Sequence, residues 1–336
     1  MKNKAKDHNP HPRVLITGGA GFIGSHLAEA LLNRGCQVTI IDDLSTGNFD
    51  NVAHLVPHPE FKYAIDTINN EGLMDRMVSE CEMVYHLAAA VGVHLIVEKP
   101  IHTNQINIMG TEIILRTSAR YGVKVLVTSS SEVYGRGNNV PFSENDDVVL
   151  GPTVQSRWSY AASKMVDEFM ALAYFREKGL PVVIVRLFNT IGPRQVGHYG
   201  MVVPRFIGQA LRGEQLTVYG DGQQSRCFLD IRDAVRALIV LAEEPKAVGQ
   251  VFNVGSIQEV TIFELACKVL QTVGREAIPE NIAFMSYDQA YMAGFEDMRR
   301  RVPDISKIRD LIGWEPQYTL EQALEHIVAG YEAQIG

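Results

Sequence analysis

Cysteine is scarce in this chain of 336 residues, which has only four. No two of them stand close together, so their spacing matches neither a disulfide framework nor the paired ligands of a structural zinc site. We therefore expect free thiols, no bound metal and a reducing, cytoplasmic location. The cysteines are Cys36, Cys81, Cys227 and Cys267.

The sequence also lacks a hydrophobic run long enough to cross a membrane. Residues 1–12 are polar and contain three lysines, but no apolar segment follows them. Such a start is typical of a loose tail and not of a signal peptide. We therefore expect no membrane partner.

Positive charge is in deficit, because 31 Lys and Arg residues stand against 39 Asp and Glu residues, for a net charge of −8. Nucleic-acid binding needs a positive face for the phosphates, so this balance argues against such a partner but permits a local anion site. With 46% hydrophobic and 21% charged residues, the composition is that of a globular protein. The length indicates one large domain or two closely joined ones.

Short apolar segments alternate with amphipathic ones through the first half of the chain. This alternation predicts an α/β fold built on a Rossmann-type, doubly wound parallel sheet. Beyond about residue 189 the elements become shorter and are separated by glycines, which indicates a smaller mixed α/β C-terminal substrate domain, interleaved with the first. Strands are predicted at 14–17, 37–41, 83–87, 123–128 and 182–187, and helices at 23–34, 105–121 and 160–178.

A glycine-rich turn follows the first predicted strand directly and opens the first helix. Glycines at 18, 21 and 24 permit a tight turn, close approach of a pyrophosphate to the backbone, and close packing of helix on strand. The N-terminus of the helix supplies free N–H groups for the phosphates. The predicted cofactor-binding residues of this turn are Gly18, Gly21, Phe22, Ile23 and Gly24.

Two acidic residues extend the predicted cofactor site. Asp42 ends the second strand, where its carboxylate can accept hydrogen bonds from a ribose diol and would repel a 2′-phosphate. NAD is therefore favoured over NADP. Asp66 ends a further short apolar segment at 63–65 and is predicted to meet the adenine, with a solvated loop position as the alternative.

Tyr160 and Lys164 stand four residues apart, so on a helix they share one face. A nearby ammonium stabilises a phenolate, which predicts a lowered pKa for Tyr160 and makes it a general base near neutral pH. A serine cluster ends the fourth predicted strand, at the edge where parallel sheets place their ligands. From that cluster we predict that Ser130 hydrogen-bonds a substrate hydroxyl alongside Tyr160.

Several segments fall in a recognisable order along the chain. Together they make the sequence resemble the extended short-chain dehydrogenase/reductases that act on nucleotide sugars, over residues 13–333. The resemblance implies an NAD-binding Rossmann domain, predicted over 13–189, a sugar-nucleotide-binding region over 190–333, and a homodimer formed through the helices at 105–121 and 160–178. Besides the glycine turn, the segments are His86–Ala89, Ser130–Gly135, Tyr160 with Lys164, Arg186–Asn189 and Gly192–Arg194.

The resemblance also implies roles for single residues. Tyr160 would take the proton from the 4-hydroxyl of a UDP-sugar, with Ser130 as the partner of that hydroxyl. Lys164 would hold the nicotinamide ribose and tune Tyr160. Guanidinium groups bind phosphate through paired donors, which suits two arginines to the nucleotide diphosphate or the sugar. The implied substrate-binding residues are Asn189, Tyr219, Arg226 and Arg301.

Glu132 is the most informative residue for the reaction. In simple 4-epimerases that the sequence resembles, this position usually carries a small or uncharged residue, whereas decarboxylases and 4,6-dehydratases usually carry Glu. Those enzymes must manage a proton at C5, which a carboxylic acid can do. Ser131 stands where dehydratases usually have Asp, which disfavours a dehydratase. Segments 156–160 and 299–304 likewise resemble decarboxylases.

The resulting hypothesis is decarboxylation of UDP-glucuronate to UDP-xylose or UDP-4-keto-pentose through a 4-keto intermediate, with Glu132 helping to reprotonate C5. The alternative is a UDP-sugar 4-epimerase acting on UDP-glucose or UDP-glucuronate, and a 4,6-dehydratase is a lesser one. The intact Ser130, Tyr160 and Lys164 argue against a noncatalytic NAD-binding sensor. Loops at 90–99 and 196–201 are the expected walls of the sugar pocket.

Overall fold

A computed structural model describes residues 12–92, 100–137, 139–155, 157–197, 201–286 and 298–335. Residues 1–11 of the predicted N-terminal tail, and residues 93–99 and 198–200 of the two predicted pocket walls, lie outside these residues. The strands, in chain order, are β1 (Arg13–Thr17), β2 (Gln37–Asp42), β3 (Phe61–Ile65), β4 (Met83–His86), β5 (Lys124–Ser130), β6 (Val182–Leu187), β7 (Thr190–Ile191), β8 (Leu216–Tyr219), β9 (Ser225–Cys227), β10 (Leu229–Asp230), β11 (Gln250–Val254), β12 (Glu259–Thr261), β13 (Ile282–Met285) and β14 (Arg300–Arg301).

Seven parallel strands form the central sheet, in the order β3-β2-β1-β4-β5-β6-β11. This order confirms the predicted Rossmann-type fold. Successive residues of β1 point to opposite faces, and both Leu15 and Ile16 are fully buried, each in a different apolar cluster. Strands covered on both faces are apolar throughout, which is why the sequence indicated their positions well.

Helices cover both faces of this sheet. One face carries α1, α8 and α10, and the other carries α3, α5 and α6. No helix in the described part of the chain is long and apolar enough to cross a membrane. The helices are α1 (Phe22–Asn33), α2 (Asp50–Ala53), α3 (Glu71–Ser79), α4 (Pro100–Asn104), α5 (Gly110–Tyr121), α6 (Arg157–Lys178), α7 (Val202–Leu211), α8 (Ile231–Glu243), α9 (Ile262–Thr272), α10 (Ser306–Ile312) and α11 (Leu320–Ile335).

The winding of the sheet reverses at β1. The chain proceeds from β1 to β2 and β3 on one side and then crosses to β4 on the other. A parallel sheet leaves a crevice at such a reversal, outside the carboxyl ends of the strands. The glycine-rich turn lies at this point, directly after β1, so the topology itself places the predicted nucleotide site.

Residues after 189 build a second apolar cluster, mainly from α7, α9 and α11 packed against β8. Strand β8 pairs with β13, and β9 pairs with β12 and β14. The chain also returns to the first sheet, because β11 is its edge strand beside β6 and α8 packs against α1. The division of the chain at residue 189 therefore stays a prediction.

The helix expected over 105–121 differs from the prediction in its first part. Residues Gln105–Met109 are π-helical, and the regular α5 begins only after them. The wider turn places Asn107 in the interior, where its Oδ1 accepts the N–H of Ala90 at 2.9 Å and its Nδ2 donates to Ser163 Oγ at 3.0 Å. Periodicity arguments assume 3.6 residues per turn, so they do not detect such an insertion.

The glycine turn gives a direct test of the fold, because a Cβ at Gly24 would lie 2.1 Å from the carbonyl oxygen of Gly18. We expect Gly24→Ala to lower the free energy of unfolding by about 2 kcal/mol, since the backbone of α1 must move away from β1. Urea denaturation monitored by circular dichroism measures this change.

Gly72→Ala in α3 is the matched control. The nearest atom to a Cβ at Gly72 is 3.9 Å away, so alanine fits without displacement. We expect it to stabilise α3 by up to about 1 kcal/mol through the better helix propensity of alanine. Equal stability of the two variants would contradict the close packing of α1 on the turn.

Candidate active site

A cavity of about 780 Å³ opens at the reversal point, where β1, β2, β4 and β5 end. It brings together most of the residues that the sequence indicated from widely separated parts of the chain. The predicted residues that line it are Gly18, Gly21, Phe22, Ile23, Gly24, Asp42, Asp66, Ser130, Glu132, Tyr160, Lys164, Asn189 and Arg301.

One end of the cavity is formed by the N-terminus of α1. Gly21 is the N-cap and has no side chain to cap the helix, and the first turn of α1 contains no acidic residue. The first N–H groups of the helix therefore remain available for an anion, and the helix dipole favours negative charge there. This donor set suits the pyrophosphate of a dinucleotide.

Asp42 lies beside the N-terminus of α1, at the same end of the cavity. Its Oδ2 accepts the N–H of Ala20 at 3.0 Å, and its Oδ1 accepts the N–H of Leu44 at 2.9 Å. Burial raises the pKa of Asp42 above its ordinary value, while these two backbone N–H groups oppose the shift. A third backbone N–H, that of Gly21, also lowers the pKa of this carboxyl. The two oxygens together offer about four acceptor sites, so the carboxylate can still accept a hydrogen bond from a ribose diol.

Asp66 lines the cavity as a half-buried residue. The N–H of Thr67 donates to its Oδ1 at 2.7 Å, and Asn70 Nδ2 donates to its Oδ2 at 3.0 Å. These bonds fix the carboxylate at the rim beyond β3. A contact between Asp66 and an adenine stays a prediction.

Tyr160, Ser130 and Lys164 meet at the other end of the cavity. The hydroxyl of Ser130 lies close enough to the phenol of Tyr160 to lower its pKa. The ammonium of Lys164 donates to the carbonyl of Thr128 at 3.2 Å and to the carboxylate of Asp167 at 3.1 Å. Helix α6 carries Tyr160 and Lys164 on one face, as the spacing predicted.

The pKa of Tyr160 differs in direction from the sequence-based expectation. Burial raises it above the ordinary value for tyrosine, and the charges of Glu132 and Asp167 raise it further. Ser130 and Arg301 lower it, but burial has the larger effect. The prediction that Lys164 alone would lower this pKa was therefore wrong for the protein by itself.

Glu132 is held by an ion pair with Arg301, whose Nη2 lies 2.7 Å from Glu132 Oε1. Glu132 follows β5 in a short 3₁₀ turn, Ser131–Tyr134, whereas Arg301 belongs to β14 near the end of the chain. Backbone hydrogen bonds between Phe142 and residues 302 and 304 hold the two segments together, at 2.8 Å in each direction. The site therefore depends on contacts across more than half of the sequence.

Three further substrate-binding candidates lie in different surroundings. Asn189 lines the cavity with a positive φ of 34°, and its Nδ2 donates to the carbonyl of Cys227 at 2.8 Å. Tyr219 and Arg226 are not among the residues that line the cavity in the described part of the chain. The guanidinium of Arg205 lies 4.0 Å above the ring of Tyr219, and Arg226 is buried, donating to the carbonyl of Ser225 at 2.7 Å.

Three residues that sequence reasoning missed also belong to the surroundings of Tyr160. Asn107 and Ser163 join the π-helical turn to α6, and Ser163 Oγ donates to the carbonyl of Tyr160 at 2.8 Å. Asp167 is the third. Its position seven residues after Tyr160 places it on the same helical face, which is a signal that the sequence did contain.

The chain is similar to known proteins over nearly its whole length. A family model described as GDP-mannose 4,6 dehydratase matches residues 15–327. The chain is 42% identical to a UDP-N-acetyl-alpha-D-glucosaminuronate decarboxylase of Bacillus cytotoxicus, over 94% of this chain and 96% of that protein. It is 38% identical to UDP-glucuronic acid decarboxylase 1 of Xenopus tropicalis, over 96% of this chain and 73% of that protein.

The fold is similar to a solved structure as well. The crystal structure of UDP-glucuronic acid 4-epimerase from Bacillus cereus, in complex with UDP-glucuronic acid and NAD, superposes with a TM-score of 0.84 at 28% identity. The match covers 96% of this chain and 99% of that one. Since the family model spans nearly the whole sequence, the chain belongs to the family described as GDP-mannose 4,6 dehydratase, among the extended short-chain dehydrogenase/reductases of nucleotide sugars.

Proposed function

We propose that the protein is an NAD-dependent decarboxylase of UDP-hexuronates that works through a 4-keto sugar. The observation that carries this proposal is the pairing of Glu132 with Arg301 in the same cavity as Tyr160. A carboxyl group there can deliver a proton to carbon, and a guanidinium there can meet a sugar carboxylate. The relatives from Bacillus cytotoxicus and Xenopus tropicalis, both named as decarboxylases, support the same reaction.

The cofactor end of the cavity fits NAD. The uncapped N-terminus of α1 suits its pyrophosphate, and Asp42 suits the unphosphorylated diol of its adenosine ribose. When bound, NAD accepts a hydride from C4 of the sugar and can return it. The nicotinamide would lie toward Tyr160 and Lys164, at the other end of the same cavity.

Tyr160 acts as the general base in the first step. Its phenolate takes the proton of the C4 hydroxyl as the hydride leaves C4, which leaves a C4 ketone. Ser130 donates a hydrogen bond to the same oxygen and so holds it against Tyr160. Lys164 stabilises the phenolate through its charge and holds the ribose next to the nicotinamide.

The ketone makes the C5 carboxylate a β-keto acid. The bond between C5 and the carboxylate carbon breaks, CO₂ leaves, and the electron pair becomes an enolate whose oxygen Tyr160 and Ser130 stabilise. Glu132, directly or through water, gives a proton to C5. Return of the hydride to C4, with the proton from Tyr160, gives a UDP-pentose, so one proton is taken from solvent for each CO₂ released.

Residues after 189 complete the proposed substrate site. Asn189 and Arg301 line the cavity and are proposed to bind the sugar or diphosphate. Tyr219 and Arg226 are proposed to lie along the nucleotide, beyond the described residues that line the cavity. This assignment makes residues 13–189 the NAD-binding domain and 190–333 the sugar-nucleotide-binding region.

The second candidate is 4-epimerisation of a UDP-sugar, which the similarity to the Bacillus cereus epimerase favours. An epimerase would use the same first step and then return the hydride to the other face of the ketone. It needs no acid at C5, so Glu132 would have no role in it. A 4,6-dehydratase, the reaction in the description of the family model, would act on a sugar with a leaving group at C6.

Incubation with UDP-glucuronate, and separately with UDP-N-acetylglucosaminuronate, tests the proposed reaction. We expect loss of CO₂ and a UDP-pentose product, observed by mass spectrometry and NMR. Tyr160→Phe should lower kcat by about a thousandfold, because the general base is lost. A product of unchanged mass with inverted C4 would instead identify an epimerase. The ratio of kcat/KM for the two substrates identifies the substituent that the enzyme prefers at C2 of the sugar.

Glu132→Gln tests the proton delivery to C5. It keeps the size of the side chain and an oxygen for Arg301 but removes the acid, so kcat should fall about a hundredfold or more. In deuterium oxide the wild type should place one deuterium at C5. Glu144→Gln is the control, since Glu144 accepts the N–H of Asn253 at 2.8 Å outside this cavity and should leave kcat near the wild-type value. Equal kcat for Glu132→Gln and the wild type would remove Glu132 from the mechanism.

We also propose that the protein is a cytoplasmic homodimer. Helices α4 and α6 pack against the π-helical turn, and together these segments present three apolar side chains that are each more than half exposed. They are Ile101, Met109 and Phe169. All four cysteines are free, which supports a reducing compartment.

Phe169→Asp should shift the protein from dimer to monomer in light scattering after size exclusion, because it places a charge in the apolar interface. Phe284→Asp is the matched control. Phe284 is similarly exposed but lies on β13, away from these helices, so the dimer should persist. A Phe169→Asp variant that stays dimeric would place the interface elsewhere.

A further inference from the structure

The ammonium of Lys164 is almost completely buried, and its surroundings contain one negative charge within hydrogen-bond distance. Lys164 Nζ lies 3.1 Å from Asp167 Oδ2 and 3.2 Å from the carbonyl oxygen of Thr128. Asp167 is fully buried on the same face of α6. An ammonium that leaves water without a counter-charge is strongly disfavoured, so this carboxylate stabilises the charged lysine in the interior.

Asp167 itself adjoins a chain of polar side chains beneath the cavity. The hydroxyl of Thr111 lies near Asp167 and lowers the pKa of its carboxyl, and Thr111 Oγ1 lies 3.0 Å from His86 Nε2. Thr17 Oγ1 lies 2.8 Å from His86 Nδ1 and accepts the N–H of Ala88 at 3.1 Å. Every member of this chain is buried except the Ala88 N–H, which is partly buried.

The direction of the hydrogen bonds in this chain follows from chemistry. Burial lowers the pKa of His86 to about 3, so the imidazole is neutral and has one N–H to donate. A carboxylate only accepts, so the Thr111 hydroxyl directs its hydrogen toward Asp167 and accepts from His86 Nε2. His86 Nδ1 then accepts from Thr17. Within the described residues, the carboxylate of Asp167 accepts one hydrogen bond, from Lys164 to Oδ2, and its buried Oδ1 has no hydrogen-bond partner there.

We propose that Asp167 is a positioning residue for the reaction proposed above: it fixes the Lys164 ammonium at the floor of the cavity and partly cancels its charge at Tyr160. The inference rests on the proposed function, because it assumes that Tyr160 acts as the base at C4. Two of the three N–H groups of Lys164 donate to Thr128 and Asp167, and within the described part of the chain the third has no partner and is available for the ribose.

The groups that face Tyr160 and Asp167 determine whether loss of the Asp167 charge raises or lowers the pKa of Tyr160. Around Tyr160, Glu132 and Asp167 raise the pKa of the phenol, while Ser130 and Arg301 lower it. Around Asp167, burial raises the pKa of the carboxyl. The contacts with Lys164 and Thr111 oppose that shift, and the nearby charge of Glu168 adds to it. Removing the charge at 167 therefore lowers the pKa of Tyr160.

Asp167→Asn and Asp167→Ser both remove the charge and differ in size. The base is active only as phenolate, so kcat/KM declines below the pKa of Tyr160. We expect the acid limb of the profile of kcat/KM against pH to move to lower pH by about 0.5 to 1 unit in either variant. Asp167→Glu keeps the charge, so its acid limb should stay in place while kcat falls, because the longer side chain displaces the ammonium.

Glu168→Gln is the control for a general loosening of α6. Glu168 is the next residue, is equally buried, and pairs with Arg186 at 2.7 Å rather than with Lys164. It should lower thermal stability and kcat, because the attachment of α6 to the sheet weakens, and leave the acid limb unmoved, because Glu168 does not pair with Lys164. An unmoved acid limb in Asp167→Asn, an equal shift in Glu168→Gln, or loss of fold in both charge-removing variants would each overturn the proposal. Absence of turnover by the wild type would instead overturn the proposed function.

Discussion

The attachment of α6 to the sheet is the contact on which the site depends. Glu168 accepts two hydrogen bonds from Arg186 of β6, at 2.9 and 2.7 Å, and one from Ser129 of β5, at 2.5 Å. A paired guanidinium–carboxylate contact fixes orientation as well as distance. It therefore sets the rotation of α6 about its own axis, and that rotation directs Tyr160 and Lys164 into the cavity.

Two ion pairs then share the space around the phenol of Tyr160. Lys164 is balanced by Asp167, and Arg301 is balanced by Glu132. Since each positive group has a negative partner, neither cation acts on Tyr160 with its full charge, and burial dominates the raised pKa. A positively charged nicotinamide would add an uncompensated charge next to the phenol. The protein by itself thus holds the phenol of Tyr160 protonated, and binding of the oxidised cofactor would favour its ionisation.

Much of the fold was accessible from the sequence, for identifiable reasons. The strands of the sheet are buried on both faces and therefore apolar, and the glycine turn permits only a narrow set of conformations around Gly18 and Gly24. Cavity residues that end strands, such as Asp42 and Ser130, were predicted well because the carboxyl ends of parallel strands meet at one edge. At these positions the local sequence pattern and the topology of the sheet place the same residues at the cavity.

The remainder depends on contacts that a linear pattern does not contain. The π-helical turn that buries Asn107 breaks the period on which helix prediction relies, and the pairing of Glu132 with Arg301 joins residues separated by more than half the chain. The pKa of Tyr160 was misjudged mainly because the four-residue spacing reveals the lysine but not the burial of the phenol, which raises the pKa most, nor the charge of Glu132 beside it. A charge can be read from sequence, whereas its compensation is a property of the fold.

For the proposed reaction, that compensation at Arg301 has a chemical consequence. Catalysis requires interactions that are stronger in the transition state than in the ground state. An unshared guanidinium would bind the sugar carboxylate most strongly before the reaction, when its charge is complete, and would oppose its departure as neutral CO₂. Arg301 is already paired with Glu132, so it can orient the carboxylate while stabilising its charge less. The same ion pair holds Glu132 near the carbon that must be protonated after CO₂ has left. One contact therefore serves both the departure of CO₂ and the protonation of C5.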